Sequence, residues 1–424
     1  MQTSENEINI ERDVNIHLES KKMSRHFFLF IWIMYAVVCM TKTCYNGALA
    51  SIVAEGVLTK SQTGFITGMF YLVYAPFQIL GGLVSDRVSP EKMIKIGLVG
   101  AFVANTIIFF NQNYYVMLIT WVLNGVVQFG IWPSVFKIVS AQLVRSDRTQ
   151  MTFFITFSST GGLLLSYLIA AFVPRWQYNF AISAICLLGF AIALHIYERH
   201  LNPYMKWDKS ETVKQKDSTQ TKIPTIKILA ASGFFFVLIS TILSITVSQS
   251  RATLAPVMFV ENYDSVSPSL GNIMNTILII SGLLGTIIAR RFVKKVKNEI
   301  LAIIIALLSM LPFLGICCFV GKLPIWSMVV ALCVIAALES IVALFKSYYN
   351  MHFVKYGKSG TAAGIMNAGN AFAYMLAAYV MPRIVELFGW RVQIALWPVL
   401  IVISALTICL ALRKFKKFVD LILN

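Results

Sequence analysis

The sequence predicts an all-α membrane protein: twelve transmembrane helices in two pseudo-symmetric six-helix bundles. Three observations predict it. Of the 424 residues 58% are hydrophobic and only 13% charged, against about 25% charged in ordinary soluble chains. Mean hydropathy is +0.73, so lipid rather than water is the solvent for most of the surface. The apolar runs also come as six, a polar gap, and six more.

Each run is tested against the about 20 apolar residues a helix needs to cross the hydrocarbon layer. Residues 1–26 are polar and mixed in charge, and read as a solvent-exposed cytoplasmic tail. They lack the short apolar core and small-residue cleavage site of a secretory signal. The first bundle occupies 27–198, with spans at 27–50, 61–84, 93–112, 115–138, 150–173 and 178–198. Residues 199–225, rich in Lys, Asp, Ser, Thr and Gln, are too polar to fold alone and read as a linker. The second bundle occupies 226–412, with spans at 226–260, 269–290, 299–320, 323–346, 359–385 and 390–412, and 413–424 form a C-terminal tail.

Orientation follows from Lys and Arg, which accumulate in cytoplasmic loops. Of 36 such residues, 29 lie on the side shared by both tails and the linker. Five lie opposite: Lys60, Arg175, Lys322, Arg383 and Arg391. Both termini are therefore expected in the cytoplasm, with the chain in the inner (cytoplasmic) membrane. An error of one span would scramble this alternation.

The net charge of +17 does not mean nucleic-acid binding, because the positive residues sit in short clusters between apolar runs rather than on one basic face. Cys39, Cys44, Cys186, Cys317, Cys318, Cys333 and Cys409 all fall inside apolar runs without metal-ligand spacing. They read as small buried hydrophobes. Neither metal nor cofactor is expected.

Two cations remain inside spans. Lys42 lies in span 1, thirteen residues before Glu55, and Arg251 in span 7, ten residues before Glu261. At about 1.5 Å per residue both sit roughly 15–20 Å below the outer surface, near mid-membrane. A charge at that depth costs about 2.5–3.5 kcal/mol or more, so it faces the bundle interior or a wet cavity. Spans 1 and 7 open the two halves, so the cations occupy corresponding places. Converging cations suit a dianion or strong monoanion, Arg with its bidentate fork. The alternative is that each pairs with an acid, but neither span 1 nor span 7 holds one at that depth.

Glu339 is the one acid deep within a span, and Lys346 lies seven residues on, two turns along the same face. The pair is either structural or, through Glu339, a proton carrier for coupling. Lys137 in span 4 lies at a similar inner depth to Lys346. Between spans 2 and 3, Gly82 permits close helix packing, while Asp86 and Arg87 form a charged cluster suited to gating one side of a pore. Gly161, Gly162, Gly360, Gly364 and Gly369 let helices approach or slide. Tyr45, Asn46, Ser158, Ser159, Asn367 and Asn370 are candidates for cavity lining or for bonds between helices.

These motifs resemble the major facilitator superfamily and, more narrowly, its organophosphate–phosphate antiporters. The matching pieces are Gly82 to Pro90 (GLVSDRVSP), Gly130 to Arg148 (GIWPSVFKIVSAQLVRSDR), Gly360 to Gly364 (GTAAG) and Phe388 to Trp390 (FGW). The resemblance implies that a basic residue in span 1 and another in span 7 coordinate the substrate phosphate, here Lys42 and Arg251. The sequence departs from the group in three places. Lys42 stands where the group has Arg, Ser158 where the glycerol-phosphate members have a binding His, and the second copy of the loop motif, Gly285 to Lys295, lacks its Asp.

The expected function is secondary transport of a small organic anion by alternating access: a phosphorylated metabolite in exchange for phosphate, moved by a monomer in the lipid bilayer, with no enzymatic step. One alternative is proton-coupled symport of a carboxylate such as a sugar acid. Another is a membrane sensor that binds such an anion without moving it.

Overall fold

The computed structural model describes residues 16–18, 20–85, 88–201, 204–207, 225–293, 296, 298–353 and 359–423. The sequence-predicted gating residues Asp86 and Arg87 lie outside them, as does most of the linker. Almost every described residue is helical because the chain is apolar through whole 20-residue stretches. A backbone in lipid must satisfy its own N–H and C=O groups, which a helix does within one segment.

Helix α1 runs Lys21–Ala54, α2 Lys60–Ser85 and α3 Pro90–Phe110. Helix α4 runs Tyr114–Val127 and resumes over Ile131–Lys137 into a π-helical turn, Ile138–Gln142. Helices α5 (Arg145–Phe172) and α6 (Gln177–Leu201) follow. A short helix, Thr225–Ala231, precedes α7 (Phe234–Asn262), and α8 is Pro268–Val293. Helix α9 is Glu299–Ser309 continued by Leu311–Cys317, and α10 is Ile325–Met351. The helical run Ser359–Leu423 is divided at Gly389 (φ 81°, ψ 171°) into α11 (359–388) and α12 (390–423).

Among the described residues, ten helices are long and apolar enough to span a membrane by length and composition, one of them in the run that Gly389 divides. Helix α2, at 26 residues, is about 39 Å long and also sufficient. The twelve segments match the twelve runs of the sequence. Large apolar side chains point outward along them, Phe110 (77% exposed), Phe172 (75%) and Ile185 (71%) among them. Bare apolar surface of this extent suits acyl chains, not water.

The chain forms two compact units, Met1–Leu49 with Val73–Lys216, and Ala50–Leu72 with Asp217–Asn424. The division differs from the break at the linker, since residues 50–72 belong with the second unit. In the first unit, α3 packs along α6 and against α4. Its core joins Phe27, Ile31 and Met34 of α1 to Leu98 of α3, Val135 of α4 and Leu187 of α6. Gly162 lets α5 touch α1, where any Cβ would collide with the Ala36 carbonyl oxygen and Cys39 Cβ.

The N-terminal tail is shorter than the sequence suggests. Ile16–Leu18 (β1) pairs antiparallel with Met205–Trp207 (β2), Ile16 opposite Trp207. Leu18 is 1% exposed in the same core, and buried Ser24 Oγ accepts from Val144 N at 3.1 Å. So the tail is docked at residues 16–18, and residues 205–207 of the linker pair with it in the first unit. A three-residue ladder between two polar stretches leaves no periodicity to read.

In the second unit α7 packs along the 359–423 run, and α8 packs on α10. The segment 50–72 is fastened there by polar bonds. Lys60 Nζ lies 2.8 Å from both carboxylate oxygens of Glu261, which also accepts from Trp390 Nε1 at 2.7 Å. Ser61 donates its backbone N–H to Glu386 Oε1 at 2.6 Å and its hydroxyl to the other oxygen.

Candidate functional site

Arg251 is 7% exposed in the middle of α7. Three contacts fix the backbone that carries it. Pro256 inside α7 cannot donate to the carbonyl four residues back, that of Ala252. Asn275 Nδ2 of α8 donates to it instead at 3.0 Å. On the other side, Ser250 Oγ accepts from Gln393 Nε2 at 2.9 Å and Trp397 Nε1 at 3.3 Å, both on α12. The α7 turn on either side of Arg251 is thus held from two neighbouring helices. Proline and serine in an apolar run carry no sequence signal for that arrangement until their partners are known.

The guanidinium is paired. Arg251 Nη2 lies 2.6 Å and Nε 3.1 Å from Glu339 Oε2 on α10, the two side chains 8% and 10% exposed. This corrects the sequence reading twice. The counter-ion absent from spans 1 and 7 comes from span 10, and Glu339 holds Arg251 rather than Lys346. Helical spacing had put Glu339 and Lys346 on one face but could not see a partner 88 residues away. Both donors converge on one oxygen, not on the parallel two-oxygen fork that gives Arg–carboxylate pairs their full strength. Glu339 Oε1 is buried without a hydrogen-bond partner, a vacancy worth about 1–3 kcal/mol.

Lys346, 6% exposed, donates from Nζ to Ser244 Oγ of α7 at 2.7 Å. Ser244 in turn donates to the Ser240 carbonyl, and Ser240 Oγ meets Ser404 Oγ of α12 at 2.8 Å. The polar bonds therefore meet at the Ser240 carbonyl, which accepts from Ser244 Oγ of α7 and from Ser404 Oγ of α12 at 2.9 Å.

Lys42 belongs to the first unit. Its Nζ donates to Tyr74 Oη of α2 at 2.7 Å and stands 4.2 Å from that ring's centroid. Gln78 Nε2 donates to the same hydroxyl at 2.6 Å. Tyr74 and Gln78 were not singled out in the sequence, and only their place one turn apart on span 2 hints at a shared face.

The smaller candidates divide. Tyr45 is fully buried, its ring 5.4 Å from Trp121 and 6.2 Å from Phe180. It is core packing, contrary to the cavity-lining expectation. Ser158 is also fully buried, its hydroxyl donated to the Ile155 carbonyl one turn back, so it lines no cavity either. Asn46 is buried, Asn367 exposed and Asn370 half-buried. Ser159 bonds the Thr156 carbonyl. Gly82 lies within α2, and Lys137 ends the α-helical part of α4.

At the start of α5, Ser146 Oγ donates to Asp147 Oδ1 at 2.8 Å, and Arg25 Nε lies 3.2 Å from Oδ2. The serine bond first, then the guanidinium, hold the Asp147 carboxyl below its usual range. No group of three or more His, Cys, Asp or Glu side chains suited to a metal ion occurs among the described residues.

Among the described residues, apolar helices of membrane length with charged side chains buried between them define a polytopic membrane protein. The sequence profile of the Major Facilitator Superfamily matches residues 31–353, and the chain belongs to that family. Over 173 residues it is 27% identical to the membrane sensor protein UhpC of Salmonella typhimurium, covering 40% of this chain and 39% of that one. Over 172 residues it is 25% identical to a probable hexose phosphate transport protein of Chlamydia pneumoniae, covering 39% and 37%. The matches thus span well under half the length of these curated relatives. A bacterial homologue of the human lysosomal transporter Spinster shares the fold, with a TM-score of 0.74 at 14% identity over 94% of this chain and 99% of that one.

Proposed function

We propose that the chain is a secondary active transporter of a small organic anion, a phosphorylated metabolite exchanged for phosphate by alternating access. It works as a monomer in the inner membrane with both termini in the cytoplasm. The observation that carries this reading is the guanidinium of Arg251, charged and buried at the centre of α7. A cation kept at that depth marks a substrate pathway by default. Lys42, at the corresponding place in α1 of the first unit, is a second cation at membrane depth. The names of the hexose phosphate relatives support a phosphate-bearing substrate.

The test is counterflow in proteoliposomes, with inorganic phosphate inside and labelled glucose 6-phosphate outside. Arg251→Gln abolishes exchange and weakens binding roughly ten- to hundred-fold, the loss of about 1.5–3 kcal/mol expected for a charged hydrogen bond. Lys42→Arg keeps the charge and retains part of both. A folded Arg251→Gln protein exchanging at the wild-type rate and affinity would remove Arg251 from the site.

The sensor relative supports a second reading, in which the anion is bound and reported but not moved. Tight binding by wild-type protein with no counterflow under any gradient favours it.

A further inference from the structure

The occupant of Arg251 in this structure is a carboxylate of the protein itself. Both donors that reach it end on Glu339 Oε2 at 2.6 and 3.1 Å. An anion that is to bind this guanidinium meets a negative charge already seated there. Two anions crowded onto one guanidinium in a low-dielectric interior repel strongly. The pair is also poorly matched, since one oxygen takes both donors and Oε1 is buried with none.

We propose that Glu339 is a displaceable counter-ion: an arriving anion takes its place on Arg251, and Glu339 binds one proton as it leaves. This rests on the reading that Arg251 binds the substrate anion. Displacement leaves a carboxylate without a counter-ion among apolar helices, a state costly enough that the group neutralises instead. The proton comes from water and ends on Glu339, so the site is neutral both before, as Arg251 with ionised Glu339, and after, as Arg251 with a bound monoanion and protonated Glu339. A dianion leaves one negative charge for a second cation to meet.

The surroundings limit where that charge could otherwise go. On α10 itself Lys346 lies two turns away and is bonded to Ser244. The thiols of Cys317 on α9 and Cys333 on α10 lie within electrostatic reach of Arg251, but carry no positive charge. Helix α8 offers Arg290 and Arg291 in its last turn, far along the helix from Asn275, which marks the level of Arg251. At the ends of α10 and α11, His352 meets Glu299 and Arg383 meets Glu386. Among these described residues none offers Glu339 a positive charge, and a proton supplies the counter-charge.

Anion binding and proton binding are then linked, and linkage is reciprocal. Binding of glucose 6-phosphate to purified wild-type protein is measured by calorimetry at pH 8 in buffers of different ionisation enthalpy. At this pH the sugar phosphate is already dianionic. The expected uptake is about one proton per anion bound, with affinity weakening about tenfold per pH unit as pH rises. Glu339→Gln removes both the proton uptake and that slope, and binds at pH 8 at least as tightly as wild type. Wild-type binding without proton uptake overturns the proposal alone, a result that needs no variant to fold. A folded Glu339→Gln protein that keeps the wild-type slope also overturns it. Wild-type protein that binds neither glucose 6-phosphate, inorganic phosphate nor glucuronate overturns the anion site itself, and this proposal with it.

Discussion

At the scale of single residues, depth identified the right side chains but not their partners. Arg251, Lys42 and Glu339 were legible as charges out of place in apolar runs, and Lys346 as a charge at the inner end of one. The Arg251–Glu339 pair was not, because a counter-ion is chosen by packing across helices and not by spacing along one. Tyr45 shows the opposite error: a polar tip suggested a cavity, while its ring was the informative part. Its hydroxyl is buried with no hydrogen-bond partner. Tyr45→Phe therefore relieves an unmet donor worth about 1–3 kcal/mol and leaves anion affinity within about twofold. Melting temperature and binding measured on the same sample check this, and a tenfold loss of affinity in a stable variant would restore Tyr45 to the site.

At the scale of elements, helices begin and end where local chemistry dictates. Asn113 caps α4 by accepting from Tyr115 N, and Asn298 caps α9 by accepting from Leu301 N. Gly389 separates α11 from α12 with φ 81° and ψ 171°, a region open to glycine alone. A side chain there costs about 1–3 kcal/mol, so Gly389→Ala should lower the melting temperature by several degrees. Scanning fluorimetry reads it, and an unchanged transition would mean that the turn relaxes freely. The Arg25–Asp147 contact follows a simple pH rule. A carboxyl held below its usual range stabilises the fold above about pH 4 and loses that contribution as pH falls through its lowered value.

At the scale of the whole molecule, the alternation of Lys and Arg with the twelve apolar runs sets a topology that can be tested directly. Reporters fused at residue 1 and residue 424 should both read as cytoplasmic, because 29 of the 36 cations lie on that side. A terminus accessible from outside would break the alternation and the pairing of span 1 with span 7. The bonds from Lys60 to Glu261 and from Ser61 to Glu386 join residues of the two sequence halves within one compact unit. Sequence placed Lys60 and Glu261 at outer ends of their helices and gave no reason to join them.

The sequence by itself determined that the chain spans a membrane, how many times, and which charges lie inside it. These follow from hydropathy and length, local quantities that the bilayer reads one segment at a time. The tertiary structure decided what each buried charge touches: Glu339 for Arg251, Ser244 for Lys346, Tyr74 for Lys42. It also decided that residues 16–18 are docked and that 50–72 pack with the second unit. Such contacts join residues far apart in the chain, and they are selected because each charge or donor left alone in a low-dielectric interior costs more than the order its partner must accept.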